Sequence, residues 1–198
     1  ETESFCLDYS LVTKAHQMVK GTFAGSDWNQ QNFEKYLNSS KEKLTLMNLN
    51  PIKIGKGEYR TWFEPAAVAD FIDMFSWNGI SEASIQQGCS GFGKMRYGDV
   101  RLSPKFSIYE DFSQGLCPQF NSDGEISSLE IPLIENGMLK NTLVSSRSGK
   151  EYGVKTNFAE GGEYLRSPKM KRGELNHKNV LKSIDKGLYL SNIHYLNW

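Results

Sequence analysis

The sequence predicts an α+β fold, with N-terminal helices followed by a β-rich half. Three observations carry this reading. Apolar residues recur at helical spacing over Asp27 to Asn48 and again over Val68 to Phe75; an Asn-Gly pair at Asn136 and Gly137 joins two apolar runs; and the closing stretch GLYLSNIHYLNW is rich in β-formers.

The first long helix is expected from Asp27 to Asn48. Phe33, Leu37, Leu44 and Met47 share one face, Asp27 caps the start and Pro51 follows the end. In KGEYRTWFEP, Tyr59, Thr61 and Phe63 alternate with Arg60, Trp62 and Glu64, which predicts a short strand. Pro65 then stands where a first helical turn tolerates a missing amide. Val68, Phe71, Ile72 and Phe75 give the stripe of a core-facing helix within VADFIDMFSWNGI, and Gly79 supplies its stop.

Beyond Gly79 the texture changes to strands and turns. SPKFSIYED places Phe106 and Ile108 on one face, and SDGEI turns through Asp123 and Gly124. SLEIPLIENGMLKNTLV reads as a hairpin, because Asn136 and Gly137 suit the left-handed positions of a tight turn. Pro132 makes its strand an edge or a bulged one. Val180, Leu181 and Ile184 predict a short helix capped by Gly187, from which the last strand leaves. Exposed edges at Pro132 or at that last strand are expected dimer contacts. The start at Glu1 and the end inside a predicted strand lead us to expect a piece of a longer polypeptide.

Composition excludes several classes of function. Lysine plus arginine number 23 and aspartate plus glutamate number 23, so no net field favours nucleic acid or an anionic membrane. Cys6, Cys89 and Cys117 are an odd set without paired spacing, which fits reduced thiols and a cytoplasmic setting better than a disulfide framework. No apolar run approaches the roughly 18 residues of a membrane span.

Candidate chemistry in the residues is sparse. GCSGFGK, Gly88 to Lys94, fits the spacing of a phosphate-cradling loop, but Met95 stands where a magnesium-binding hydroxyl is needed, so it reads as a glycine-rich turn. His16, His177 and His194 are far apart, and no HExxH or HExxxH exists. Carboxylates cluster at Glu110 and Asp111 and at Asp123 and Glu125, where turns select acidic residues for their own hydrogen bonds. Arg166, Lys169, Lys171, Arg172 and Lys178 make a basic stretch without interleaved aromatics, which reads as a solvated loop rather than a nucleic-acid surface.

From Gly57 to Trp198 the order of features resembles the C-terminal region of the TldD/PmbA family, modulators of DNA gyrase also described as metallopeptidase subunits. The matching pieces are GEYRTWFEP, GCSGFGKMRYGDVRLSPKFSIYEDF, FNSDGEISSLEIPLIENGMLKNTLVSSRSGKEYGV and KGLYLSNIHYLN. Residues 1–56 match only as a generic helical lead-in, the end of a missing N-terminal region. The domain expected over 57–198 is incomplete at its C-terminus. For its fold the resemblance implies a curved antiparallel sheet or barrel-like region.

In the TldD-type member, HExxxH stands on the helix before the segment matched by QGCSGFG. Its two histidines share a zinc ion, and its glutamate takes a proton from the bound water. Counting back from Phe92 puts that motif at Asp73 to Asn78, where this sequence reads DMFSWN. Met74 has no basic atom to act as a general base, and Asn78 is a weak ligand. The resemblance is therefore to the PmbA or TldE type. It implies a non-catalytic partner of a TldD-type catalytic subunit, or a homodimer, acting on unfolded peptide, with no catalytic, cofactor or metal residues in this chain and zinc in the partner. The alternatives are an active metallopeptidase with a divergent site drawn from Asp73, His194, Cys89 or segments beyond Trp198, or a DNA gyrase modulator acting by binding.

Overall fold

The computed structural model describes residues 2–176, 179–193 and 195–197. It opens on an antiparallel hairpin, β1 (Phe5–Val12) and β2 (Met18–Gly25), followed by the helix α1 (Gln30–Leu46). The lead-in is therefore not purely helical. Phe5, Tyr9, Leu11, Val19 and Phe23 lie on the more buried face of the hairpin, but Lys20, Gly21 and Thr22 interrupt the apolar alternation and obscure the strand signal. Phe23 joins the hairpin to α1, with ring centroids 5.3 Å from Trp28 and 5.6 Å from both Phe33 and Tyr36. Asn29, not Asp27, caps α1: its side chain accepts the Asn32 amide at 2.9 Å. Phe33, Leu37 and Leu44 are half-buried as expected, whereas Met47 falls past the helix end and is exposed.

The strand β3 (Thr61–Phe63) leads into the helix α2 (Pro65–Asp73), with Pro65 at its first turn. Val68, Ile72 and Phe75 face the core, and Phe71 instead lies at the surface with its ring edge-on to Phe63. A 3-10 turn, Met74–Ser76, ends the helix, and Asn78 rather than Gly79 takes the left-handed conformation there, with φ 68°. Two short helices, α3 (Glu82–Gln86) and α4 (Gly93–Arg96), follow. GCSGFGK thus runs from the end of α3 into α4, so a helix stands where a phosphate loop needs a strand before it.

The main sheet is built from β4 (Ile108–Asp111), β5 (Glu130–Glu135), β6 (Met138–Leu139) and β7 (Pro168–Met170), antiparallel in the order β6-β5-β4-β7. The helix α5 (Ser146–Tyr152) comes between β6 and β7. Asn136 and Gly137 make the hairpin turn with φ 50° and 77°. A Cβ on Gly137 would also lie 2.2 Å from the Leu102 carbonyl oxygen. Pro132 sits at a register shift, where Ile108 pairs with Ile134 but Tyr109 with Pro132, so the bulge is what accommodates it. Ile108, Leu133 and Ile134 are fully buried and pack with Ile72, Ile80, Met95 and Leu143 into one core.

Near the end, α6 (Val180–Ile184) buries Val180 and Ile184 but exposes Leu181. The last strand, β8 (Leu188–Leu190), pairs in parallel with β3. Gly187 does not cap α6. It is glycine because β8 enters against β3, where a Cβ would stand 2.2 Å from the Arg60 carbonyl oxygen. Among the described residues, the strands form three separate sheets and do not close into a barrel. Two- to six-residue strands with β6 and β7 as outer members give the main sheet two ends instead. Among the described residues, no helix is long and apolar enough to cross a membrane.

Candidate functional site

The start of α2 is tied to α1 and to β8. Glu64 accepts from Lys43 Nζ at 2.6 Å and from the Tyr189 hydroxyl, whose pKa burial and this carboxylate push upward. One turn further on, α2 borders a mainly apolar groove of about 720 Å³. Val68, Ile72 and Asp73 line it from α2, Trp62 from β3, and Pro168 and Met170 from β7. The sequence places Asp73 at the C-terminal end of the helical stripe, so it reaches the groove rim and is exposed.

Among the described residues, β7 has a strand on one side only. Ser167 O accepts the Asp111 amide at 2.8 Å and the Lys171 amide donates to Ser107 O at 2.9 Å, so the main chain at 167 and 171 faces β4. By the alternation of an antiparallel ladder, the Met170 amide and the carbonyls of Pro168 and Met170 face away from β4. The groove is thus bordered by a strand edge with unused hydrogen-bonding groups. Sequence reading missed β7. The available signal was a proline within SPKM, which edge strands tolerate.

Glu110 fastens this strand from beneath. It is 2% exposed, and its Oε1 accepts the Arg166 amide at 2.8 Å and the Ser167 amide, while Oε2 is buried without a hydrogen-bond partner. Burial raises the Glu110 pKa and the two amides only partly oppose it. Asp111, next in sequence, points to the opposite sheet face and pairs with Lys169, which together with Ser113 holds its pKa down to about 2. The adjacent carboxylates therefore do not form a catalytic pair. Asp123 lies in the turn closed by the Gly124 amide on Asn121 O at 3.0 Å, and Glu125 accepts from Ser146 Oγ and Asn121 Nδ2.

Two residues of the basic stretch, Arg166 and Lys169, are engaged by the protein itself. Arg166 donates to Phe120 O at 2.7 Å, lies 4.9 Å from the Phe112 ring centroid and pairs with Glu160 at 4.0 Å. Lys169 is taken by Asp111, Lys171 and Arg172 are exposed, and Lys178 lies outside the described residues.

A second, more polar concavity of about 810 Å³ has the Glu82–Arg96 pair in its wall, with Lys140 and Asn141 beside it. Arg96 binds both carboxylate oxygens of Glu82, and Thr142 adds a third donor. Arg96 outweighs desolvation and holds the Glu82 pKa down to about 2. With its charges paired, this pair is a structural feature of the wall.

The residues present do not fit a metal ion at the end of α2. Asp73 offers one carboxylate, the Met74 thioether takes no proton, and Asn78 is exposed in a left-handed turn. Among the described residues, no three histidine, cysteine or acidic side chains are grouped closely enough to hold a metal. Cys89 is an exposed free thiol and His16 sits at φ 62° in the β1–β2 turn, while His177 and His194 lie outside the described residues.

The family model described as the PmbA/TldA metallopeptidase C-terminal domain matches residues 56–198. The chain belongs to the PmbA/TldD family. Solved structures share the fold. TldE from Thermococcus kodakarensis superposes with a TM-score of 0.74 at 17% identity over 98% of this chain and 46% of that one. A protein of Thermotoga maritima named as a DNA gyrase modulator gives 0.71 at 20% identity, over 97% and 45%. Another so named, from Bacteroides thetaiotaomicron, gives 0.69 at 14% identity, over 98% and 43%. The chain thus spans less than half the length of these relatives, and at such identities the likeness establishes the fold. No curated protein matches the sequence.

Proposed function

We propose that this PmbA/TldD-family chain is part of a non-catalytic partner subunit of a metallopeptidase complex, contributing a groove for extended peptide rather than groups that cleave it. One observation carries the reading. By the resemblance, the HExxxH of a TldD-type protein falls at the end of α2 and in the turn after it, beside the groove, and there this chain carries Asp73, Met74 and Asn78. An apolar floor beside an unpaired strand edge suits a peptide of varied sequence, because main-chain bonds supply affinity and side chains fill apolar space. The full-length protein, purified alone and again with a TldD-type subunit, tests this by metal analysis. Zinc is expected only with the catalytic subunit. Stoichiometric zinc in the isolated protein, lost on Asp73→Ala, would instead establish the divergent enzyme.

The gyrase-modulator reading is favoured by the names of two structural neighbours. It predicts binding to gyrase or salt-dependent binding to DNA, and the balanced charge and the engagement of Arg166 and Lys169 weigh against the latter.

A further inference from the structure

We propose that Glu110 is a positioning residue for the groove: its buried carboxylate holds the entry to β7 so that the strand's free edge stays presented to an extended peptide. The inference rests on the peptide-groove reading above. Glu110 lies opposite Pro168 in the ladder, and its Oε1 takes the amides of Arg166 and Ser167, the two residues that lead into β7. These contacts fix the strand just before the edge groups of Pro168 and Met170.

The geometry is a poor way to stabilise a sheet for its own sake. One oxygen, Oε2, is buried with no donor, so the carboxyl bears a desolvation cost that an apolar side chain at this position would not. What it supplies in return is directional. β7 is three residues long and pairs with β4 alone, so the strand has little pairing with which to hold its own orientation. Without an acceptor at Oε1, the Arg166 and Ser167 amides would turn toward water and carry Pro168 and Met170 with them. The other ionisable groups that face Glu110 are Arg166, occupied by Glu160 and the Phe120 carbonyl, and the half-buried Cys117 thiol. Asp111 and Lys169 pair with each other on the opposite face.

The test compares Glu110→Ala and Glu110→Gln in the full chain by residue-resolved hydrogen exchange. Affinity is measured in parallel for a capped, fluorescein-labelled octapeptide of alternating leucine and threonine. For Glu110→Ala, exchange at Arg166 and Ser167 should quicken and peptide affinity fall, each about tenfold, as expected when two half-buried donors lose their acceptor. The β5–β6 hairpin should exchange as before. Glu110→Gln keeps an acceptor oxygen and should restore both readouts. Unchanged exchange in Glu110→Ala, failure of Glu110→Gln to rescue, or quickened exchange throughout the core would each overturn the assignment. A native chain that binds no peptide would refute the groove reading, while the exchange comparison would still decide whether Glu110 orients β7.

Discussion

Glu163 and Ser81 lie 82 positions apart in sequence, yet the Ser81 hydroxyl donates to Glu163 Oε2 at 2.6 Å. Ser81 caps α3 and Ser145 caps α5, and Glu163 accepts the Ala83 amide at 2.9 Å, the Ser145 amide at 2.9 Å and the Ser145 hydroxyl at 3.0 Å. One buried carboxylate therefore joins two helix starts. Burial alone would raise its pKa, but these donors, Ser81 first, outweigh burial and lower it. Glu163 holds φ 52° to reach them.

Removing this acceptor strands several buried donors. Glu163→Ala should lower the unfolding free energy by about 3 kcal/mol, and Glu163→Gln by about half as much because one oxygen remains. Urea unfolding measures both, and a loss below about 1 kcal/mol for the alanine variant would contradict the shared-cap interpretation.

The Glu82–Arg96 pair predicts an acid-sensitive fold. The Glu82 pKa is lowered from 4.5 to about 2, so its contribution is present above the unfolded value and lost as pH falls through the folded one. Between pH 5 and 2 that loss amounts to about 3 kcal/mol at most. Asp111, also held to about 2, adds a loss of the same sign. Glu82→Gln should start less stable at pH 7 and show a shallower decline on acidification, read from thermal midpoints across that range.

Glu110 works in the opposite direction. Its raised pKa means the folded chain holds this proton more tightly, so its contribution declines as pH rises from the unfolded value through the folded one, then levels off. Subtracting the pH–stability curve of Glu110→Gln from that of the native chain should reveal a component falling with pH. A component rising with pH would show that the two amides outweigh burial.

The hairpin turn offers a steric check. Gly137→Ala brings a Cβ to 2.2 Å from Leu102 O at a position with φ 77°, so backbone must move in both segments. The expected destabilisation is about 3 kcal/mol, whereas Asn136→Gly, at φ 50°, should change stability by less than about 1 kcal/mol. Denaturant midpoints of the two variants should differ accordingly.

The local rules in the sequence specified much of the framework. The Val68, Ile72 and Phe75 stripe required a core-facing helix, the Asn136-Gly137 pair required a tight hairpin, and Pro132 required an irregular strand. Each follows from backbone sterics or side-chain period acting over a few residues. The absence of HExxxH at Asp73 to Asn78 was also legible, since ligand chemistry is a matter of residue type. Tertiary structure alone decided that β3 pairs with β8 across the whole domain, that β7 is an edge strand beside α2, and that Glu110 faces backbone amides while Asp111 faces a lysine. Those outcomes depend on which distant segments meet and on which face each side chain is buried. Short strands such as β7, with little periodicity of their own, take their conformation from such encounters.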